Sequence, residues 1–195
     1  IEQTPQYVEA YNNLVRLFNA RKEYDIAMQY IISGLRFDPG NPFLYYNLGV
    51  TFQHLNELDT SKACYLKALE FDPEFYLAHY NLGVLAFNEQ NYDDAEIYFL
   101  NAINAQGEKS IAHSVKSNKQ MSSAYYLLGR TYEYRAQKKE AIPQYEMAVS
   151  LDSLNQDAAD ALKKLKRKTY RKKAVKQVVQ VSQDSVKAVS NDTVR

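Results

Sequence analysis

Asparagine recurs at one interval along this chain: Asn13, Asn47 and Asn81 lie 34 residues apart. A carboxamide carries two donors and an acceptor, so each of these side chains can pair at once with the N–H and the C=O of an extended peptide. Tyrosines stand beside them, Tyr46 and Tyr80 directly before two of the asparagines and Tyr126 further on, with Phe87 and Tyr134 one turn or two past Tyr80 and Tyr126. A stripe of this kind either packs helices together or offers a ligand rigid apolar area with a polar tip at little entropic cost. A second group is cationic. Lys163, Lys164, Lys166, Arg167, Lys168, Arg171, Lys172 and Lys173 form a run whose field suits phosphates or an anionic membrane surface. Bond-making chemistry has no comparable footing. His54, His79 and His113 with the single Cys64 give no zinc-like spacing, no serine or cysteine has a histidine partner in a recognisable arrangement, and there is no glycine-rich phosphate loop. Neither a catalytic residue nor a metal or cofactor site is expected.

Side chains of this kind need a frame to hold them, and the composition supplies one. At 195 residues with 46% hydrophobic content, the chain can bury one or two globular cores or one extended array. Pro and Gly are scarce, at 5 and 6, so strand-and-turn punctuation is missing and helices are favoured. No run approaches the length of a membrane span, and the start "IEQTPQYVEA" has neither a basic n-region nor an apolar h-region. A soluble segment is expected, with the compartment left open by the lone cysteine and the cytoplasm as the default setting. The overall charge of +1 hides an asymmetry, net −6 over residues 1–155 and net +7 over 156–195.

The elements emerge from the period. "YNLGV" occurs at Tyr46 to Val50 and again at Tyr80 to Val84, 34 residues on, and a period of that size marks stacked pairs of helices. Other columns fall into register: Pro39 with Pro73, Ala68 with Ala102, and Asp25 with Asp59 and Asp93. Each unit reads as two amphipathic segments of about 13 residues with apolar side chains at i, i+3, i+4 and i+7. A short polar turn such as "ARKEYD" or "NEQNYD" separates them. The Asp-Pro pairs at 38–39 and 72–73 end the second segment, because the residue before proline is pushed out of the helical region. Asp25, Asp59 and Asp93 fall in the first turn of that segment, where negative charge meets the positive end of the macrodipole.

These residues resemble the tetratricopeptide repeat, whose pattern of an aromatic, Leu-Gly, an aromatic, then Ala, an aromatic and Pro matches Tyr45, Leu48, Gly49, Phe52, Tyr65, Ala68 and Pro73. The next unit gives Leu82, Gly83, Ala95, Phe99 and Ala102, with His79 and Ala86 in place of two aromatics and Gly107 in place of Pro. An earlier unit gives Tyr11, Leu14, Phe18, Ala27, Ile31, Gly34 and Pro39, with Val15 for the glycine; a later one gives Tyr125, Leu128, Gly129, Tyr132, Ala141, Tyr145 and Ala148, with Ser153 for Pro. The resemblance implies an all-α, right-handed α-solenoid of antiparallel helix pairs with a concave inner surface. It implies a non-enzymatic scaffold holding a peptide or protein partner there, on the first helix of each unit. The partner-binding candidates are then Asn13, Asn47, Asn81, Tyr46, Tyr80, Tyr126 and Arg130. The asparagines resemble the ladder of O-linked N-acetylglucosamine transferase, although Asn at this position also holds helices together in the family, and Leu127 interrupts the series. The clamp by which related repeats seize acidic chaperone tails is largely absent, since Asn12, Arg16, Asn47, Leu77 and Asn81 occupy its places. A substrate-presenting arm of a larger enzyme such as a glycosyltransferase, and an anchor to nucleic acid or an anionic membrane surface through the basic end, are the alternative readings.

Departures from the even period complete the partition. Gly83 to Gly129 spans 46 residues, so "EKSIAHSVKSNKQM" carries an insertion, read as a surface loop, a backward extension of the next helix, or a projection toward a partner. Pro5 lies 34 before Pro39, which makes "IEQTP" look like the tail of an earlier unit and the chain a piece of a longer array packing on Val8 to Ala20. The expected division is 1–7 as the end of a preceding repeat, then repeats at 8–41, 42–75 and 76–109, an insertion at 110–121, and a fourth repeat at 122–155. A basic capping helix at 156–176, with Ala158, Ala161, Leu162 and Leu165 as its apolar stripe, and a mobile tail at 177–195 follow.

Overall fold

The structure, a computed structural model, describes residues 5–109 and 115–167, and side chains over 9–105 and 118–167. Four hairpins follow one another: α1 (Pro5–Ala20) with α2 (Tyr24–Phe37), α3 (Pro42–His54) with α4 (Leu58–Phe71), α5 (Tyr76–Asn88) with α6 (Tyr92–Lys109), and α7 (Val115–Tyr134) with α8 (Lys138–Leu151). A further helix, α9, covers 156–167, and there is no strand among the described residues. This is an all-α solenoid. Each hairpin packs within itself and against the next, and the first helices of neighbouring units also touch, α1 with α3 and α5 with α7. The first helices therefore crowd on the inside of the curve.

Each hairpin turn is built the same way. Lys22, Asn56, Gln90 and Ala136 adopt φ of 61°, 63°, 61° and 60°. Around them Glu23 N–H donates to Phe18 O at 2.9 Å and Lys22 N–H to Asn19 O at 3.0 Å, and the other three turns repeat this pair of bonds. A left-handed residue flanked by such bonds is a Schellman ending, which satisfies the last carbonyls of the first helix and reverses the chain. At the other end of each unit, Asp38 and Asp72 cap α2 and α4 before proline, through N–H bonds to Gly34 O and Ala68 O. Asn41 then starts α3 by accepting from Leu44 N–H at 3.1 Å, with Pro42 in the first turn, and Asn155 starts α9 by accepting from Ala158 N–H at 3.1 Å.

The repeated glycines are contact points between the two helices of one unit. A Cβ on Gly49, Gly83 or Gly129 would stand 2.5, 2.7 or 2.6 Å from a ring carbon of Tyr65, Phe99 or Tyr145 respectively. Those three rings are wholly buried. In the first unit the pair is exchanged in both members at once: Val15 replaces the glycine and Ile31 the aromatic, and both are fully buried. The smaller partner across the seam accommodates the larger first-helix residue, as conserved total volume requires.

Two expected boundaries shift. Residues 5–7, assigned above to the end of a preceding repeat, belong to α1, which runs unbroken from Pro5 to Ala20; proline is favoured in the first turn because its missing N–H has no helical partner there. Residues 1–4 lie outside the described residues. In the third unit α6 continues through Gly107 to Lys109, 18 residues against 14 for α2 and α4, because no proline stops it. The insertion is helical from Val115, forming the opening turns of α7, while 110–114 lies outside the described residues. That extension is docked rather than loose. Met121 packs on the cluster around Phe99, and Tyr76 donates its hydroxyl proton to Gln120 O at 2.8 Å.

Candidate functional site

The inner wall is assembled from α1, α3, α5, α7 and α9, and the predicted asparagines occupy three different environments on it. Asn13 is exposed. Asn47 is 4% exposed and donates from Nδ2 to Asn12 Oδ1 at 3.1 Å, tying α3 to α1. Thr51 strengthens the same seam, its hydroxyl lying 2.9 Å from Asn47 O and 3.0 Å from Asn19 Oδ1. Asn81 is half-buried and donates to the Tyr65 hydroxyl at 3.0 Å, which itself donates to Gln53 Oε1 at 2.8 Å. The three side chains thus do not form one uniform row. Sequence reasoning named them but not Asn12, Gln53 and Tyr65 as their partners.

The tyrosines are the fixed part of the wall. Tyr46 is half-buried between the rings of Tyr65 at 5.7 Å and Phe75 at 5.6 Å. Tyr80 stacks on Tyr76 at 5.9 Å and meets Phe99 edge-on at 6.1 Å. Burial pushes the hydroxyls of Tyr46, Tyr65, Tyr76 and Tyr80 above the ordinary phenol value, for Tyr46 against the opposing pull of the Asn81 side chain nearby. These groups remain neutral donors and acceptors across the physiological range.

At the α7 end the wall carries an arginine caged by aromatic rings. Arg130 donates from Nη1 to the Tyr126 hydroxyl at 2.9 Å and from Nη2 to the Tyr134 hydroxyl at 3.1 Å. Its guanidinium lies 5.3 Å from the Tyr134 ring and 5.8 Å from the rings of Tyr126 and Phe87. Tyr134 in turn stacks on Tyr92 at 5.3 Å and meets Phe87 at 5.5 Å. Beyond this cage an open cleft of about 630 Å³ separates α7 from α9, lined by Tyr126, Arg130, Glu133 and Tyr134 on one side and by Asp160 and Lys164 on the other. Glu133 and Asp160 are additions to the sequence-based set. Their signal was available only as positions one helical turn from Arg130 and Lys164, which no repeat column marks.

The basic end divides. Lys163, Lys164, Lys166 and Arg167 are exposed on α9, whose Ala158 and Leu165 are buried. Leu165 joins the cluster around Tyr145 and Ala141, and Lys166 pairs with Glu146 at 2.7 Å. Lys168, Arg171, Lys172 and Lys173 lie outside the described residues. Among the described residues no group of three His, Cys, Asp or Glu side chains could hold a metal ion, and no helix is long and apolar enough to cross a membrane.

Family models described as Tetratricopeptide repeat match residues 42–75, 64–97 and 122–154. No curated protein matches the sequence. Among solved structures, PilF of Pseudomonas aeruginosa superposes with a TM-score of 0.72 at 20% identity, over 88% of this chain and 73% of that one. MamA from Desulfovibrio magneticus RS-1, residue 41 to its end, gives 0.65 at 21% identity, over 91% and 94%. The Cut9–Hcn1 hetero-tetramer of the APC/C gives 0.68 at 20% identity, over 83% of this chain and 30% of that one. At these identities the likeness is one of fold.

Proposed function

Because this chain belongs to the tetratricopeptide repeat family, we propose that it is a non-enzymatic scaffold whose concave face holds a peptide or protein partner. The fold typically serves as a non-catalytic interaction scaffold, and one structural neighbour is itself a subunit of a hetero-tetramer. The observation that carries the reading is the rigidity of the inner wall. Tyr46 and Tyr80 are wedged between other rings, Asn81 is braced on the Tyr65 hydroxyl, and Arg130 is held by two phenols. Groups already fixed in place lose little conformational entropy when a ligand arrives, and that loss is the main cost of binding through side chains. Asn13, exposed, and Asn81, half-buried, are the carboxamides within reach of a ligand backbone, whereas Asn47 acts through the wall it secures.

Peptides selected from a random library on the folded chain, then titrated calorimetrically, test the assignment. Asn13→Ala and Asn81→Ala are expected to weaken a selected peptide by about three- to tenfold each, the size of one hydrogen bond. Their melting curves, followed by circular dichroism, separate loss of contact from loss of fold. Selection that yields no binder, or binders indifferent to both substitutions and to Tyr46→Ala, would overturn the reading.

A further inference from the structure

We infer that the cleft between α7 and α9 reads a carboxylate, with Arg130 as the group that recognises it; the inference rests on the concave-face reading above and names the chemistry of one end of that groove. A guanidinium has five N–H donors and no acceptor capacity, and Arg130 uses two of them on Tyr126 and Tyr134. Each phenol oxygen is thereby an acceptor, and its own O–H proton has no acceptor among the described residues. Lys164 adds an ammonium from the α9 side of the same cleft. Three Arg130 N–H groups, two phenol O–H groups and an ammonium therefore line a single opening with their donors unspent.

Arg135, five residues on and just past the end of α7, is what a satisfied arginine looks like in this fold. Arg135 reaches Asp93 at 2.9 Å and also pairs with Glu96, so it is a bolt between α6 and the turn that follows α7. Arg130 has no carboxylate partner among the described residues, yet it is the arginine enclosed by three rings at 5.3 to 5.8 Å. Rings on that scale orient the guanidinium plane and exclude water from one side of it, and with one Nη proton committed to each phenol the remaining N–H donors of the fork are what a ligand can meet. A planar carboxylate fits that fork with two parallel bonds.

Glu133 and Asp160 sit in the same cleft and make its formal charge zero. Glu133 is engaged, accepting from the Tyr145 hydroxyl at 3.1 Å. Asp160 stands on the opposite rim, where it opposes an incoming anion. Recognition is consequently short-ranged, by donor geometry rather than by a broad positive field, and removing Asp160 should strengthen it.

The carboxylate can come from an acidic side chain or from a chain terminus, and four small probes separate these sources. N-acetylglutamate carries both carboxylates, its α-amide only the side-chain one, N-acetylglutamine only the terminal one, and N-acetylglutaminamide neither. Each is titrated into the isotope-labelled chain while the Arg130 Nε–H resonance is followed by NMR. At least one carboxylate probe is expected to shift that resonance saturably, and the neutral amide to leave it in place. By the preference of carboxylates for a charged fork, Arg130→Gln should weaken the effect on neighbouring resonances by about tenfold or more, and Arg130→Lys by less. Asp160→Asn should tighten binding by about two- to fivefold, the scale of an exposed like-charge contact. Absence of any shift with all three carboxylates, an equal shift with the neutral amide, or tightening by Arg130→Gln would each overturn the inference. So would weakening by Asp160→Asn, which would mark the cleft as a cation site. The two readings fail separately. Library peptides that bind the groove but ignore Arg130→Gln remove the carboxylate site alone, whereas carboxylate binding with no peptide binder removes the groove alone.

Discussion

At the residue scale, the four left-handed turn positions separate the cost of a backbone shape from its sequence. Lys22, Asn56, Gln90 and Ala136 share one conformation and one pair of bonds, yet only asparagine among these types tolerates it well. Ala136→Gly should therefore stabilise the chain by about 0.5–1 kcal/mol, the relief of left-handed strain less the greater freedom of glycine in the unfolded state. Asn56→Gly should change stability by no more than a few tenths of that order. Urea midpoints for the two variants check the contrast, and equal effects would count against it. None of this was legible beforehand, since three of the four residues do not advertise a positive φ. Asn47 and Asn81 show the same limit at the candidate site. Type and spacing identified both, but whether a carboxamide faces a ligand or its own wall depends on Asn12 and Tyr65 across the seam, which no 34-residue column pairs with them. Arg130 was legible as a cation on the inner helix; the phenols that hold it were legible only as neighbours in sequence.

The elements were read far more completely, because their signals are local. Asp-Pro closed α2 and α4 at Phe37 and Phe71, the Asp residues fell in the first turns of α2, α4 and α6, and the small-residue columns became real contacts between paired helices. Less legible were the places where a local rule had lost its residue, as in the third unit, where no proline stops the helix and it runs past Gly107 to Lys109. The fourth unit contains the opposite case. Pro143 stands inside α8, exposed, with no N–H to offer the Lys139 carbonyl four residues earlier. An interior proline costs a helix about 3 kcal/mol relative to alanine, partly offset by the stiffness it gives the unfolded chain. Pro143→Ala is expected to stabilise the array by about 1–2 kcal/mol and to slow amide exchange along α8 before any other helix. A melting temperature that falls in this variant would show that the ring makes a packing contact outweighing the missing bond.

Across the whole molecule, one architecture repeats a single seam chemistry: a buried or half-buried tyrosine ring between helices with its hydroxyl donating to a neighbour. Tyr65 donates to Gln53, Tyr76 to Gln120 O, Tyr132 to Glu96 and Tyr145 to Glu133, so every such bond requires the protonated phenol. Burial raises the pKa of all four, with Tyr132 pushed up to about 12 with the help of Glu96, and burial lifts the Cys64 thiol to about 11. A group whose folded pKa lies above its unfolded value binds its proton more tightly in the native state, so its stabilising contribution is complete below the unfolded value. For thiol and phenol those values are about 9 and 10, and the contribution drains away as pH rises through the folded value. Because stacked repeats share interfaces, ionising a few seams loosens the array as a unit rather than one hairpin at a time. The melting temperature should hence be level from neutrality to about pH 9, then fall steeply through the range where Tyr132 titrates, in step with tyrosinate absorbance. Replacing Tyr145 by Phe, which keeps the ring against Gly129 and removes the proton, should make that alkaline decline shallower. A melting temperature unchanged up to pH 12, or one that declines as steeply in Tyr145→Phe, would show that phenol protons do not secure the seams.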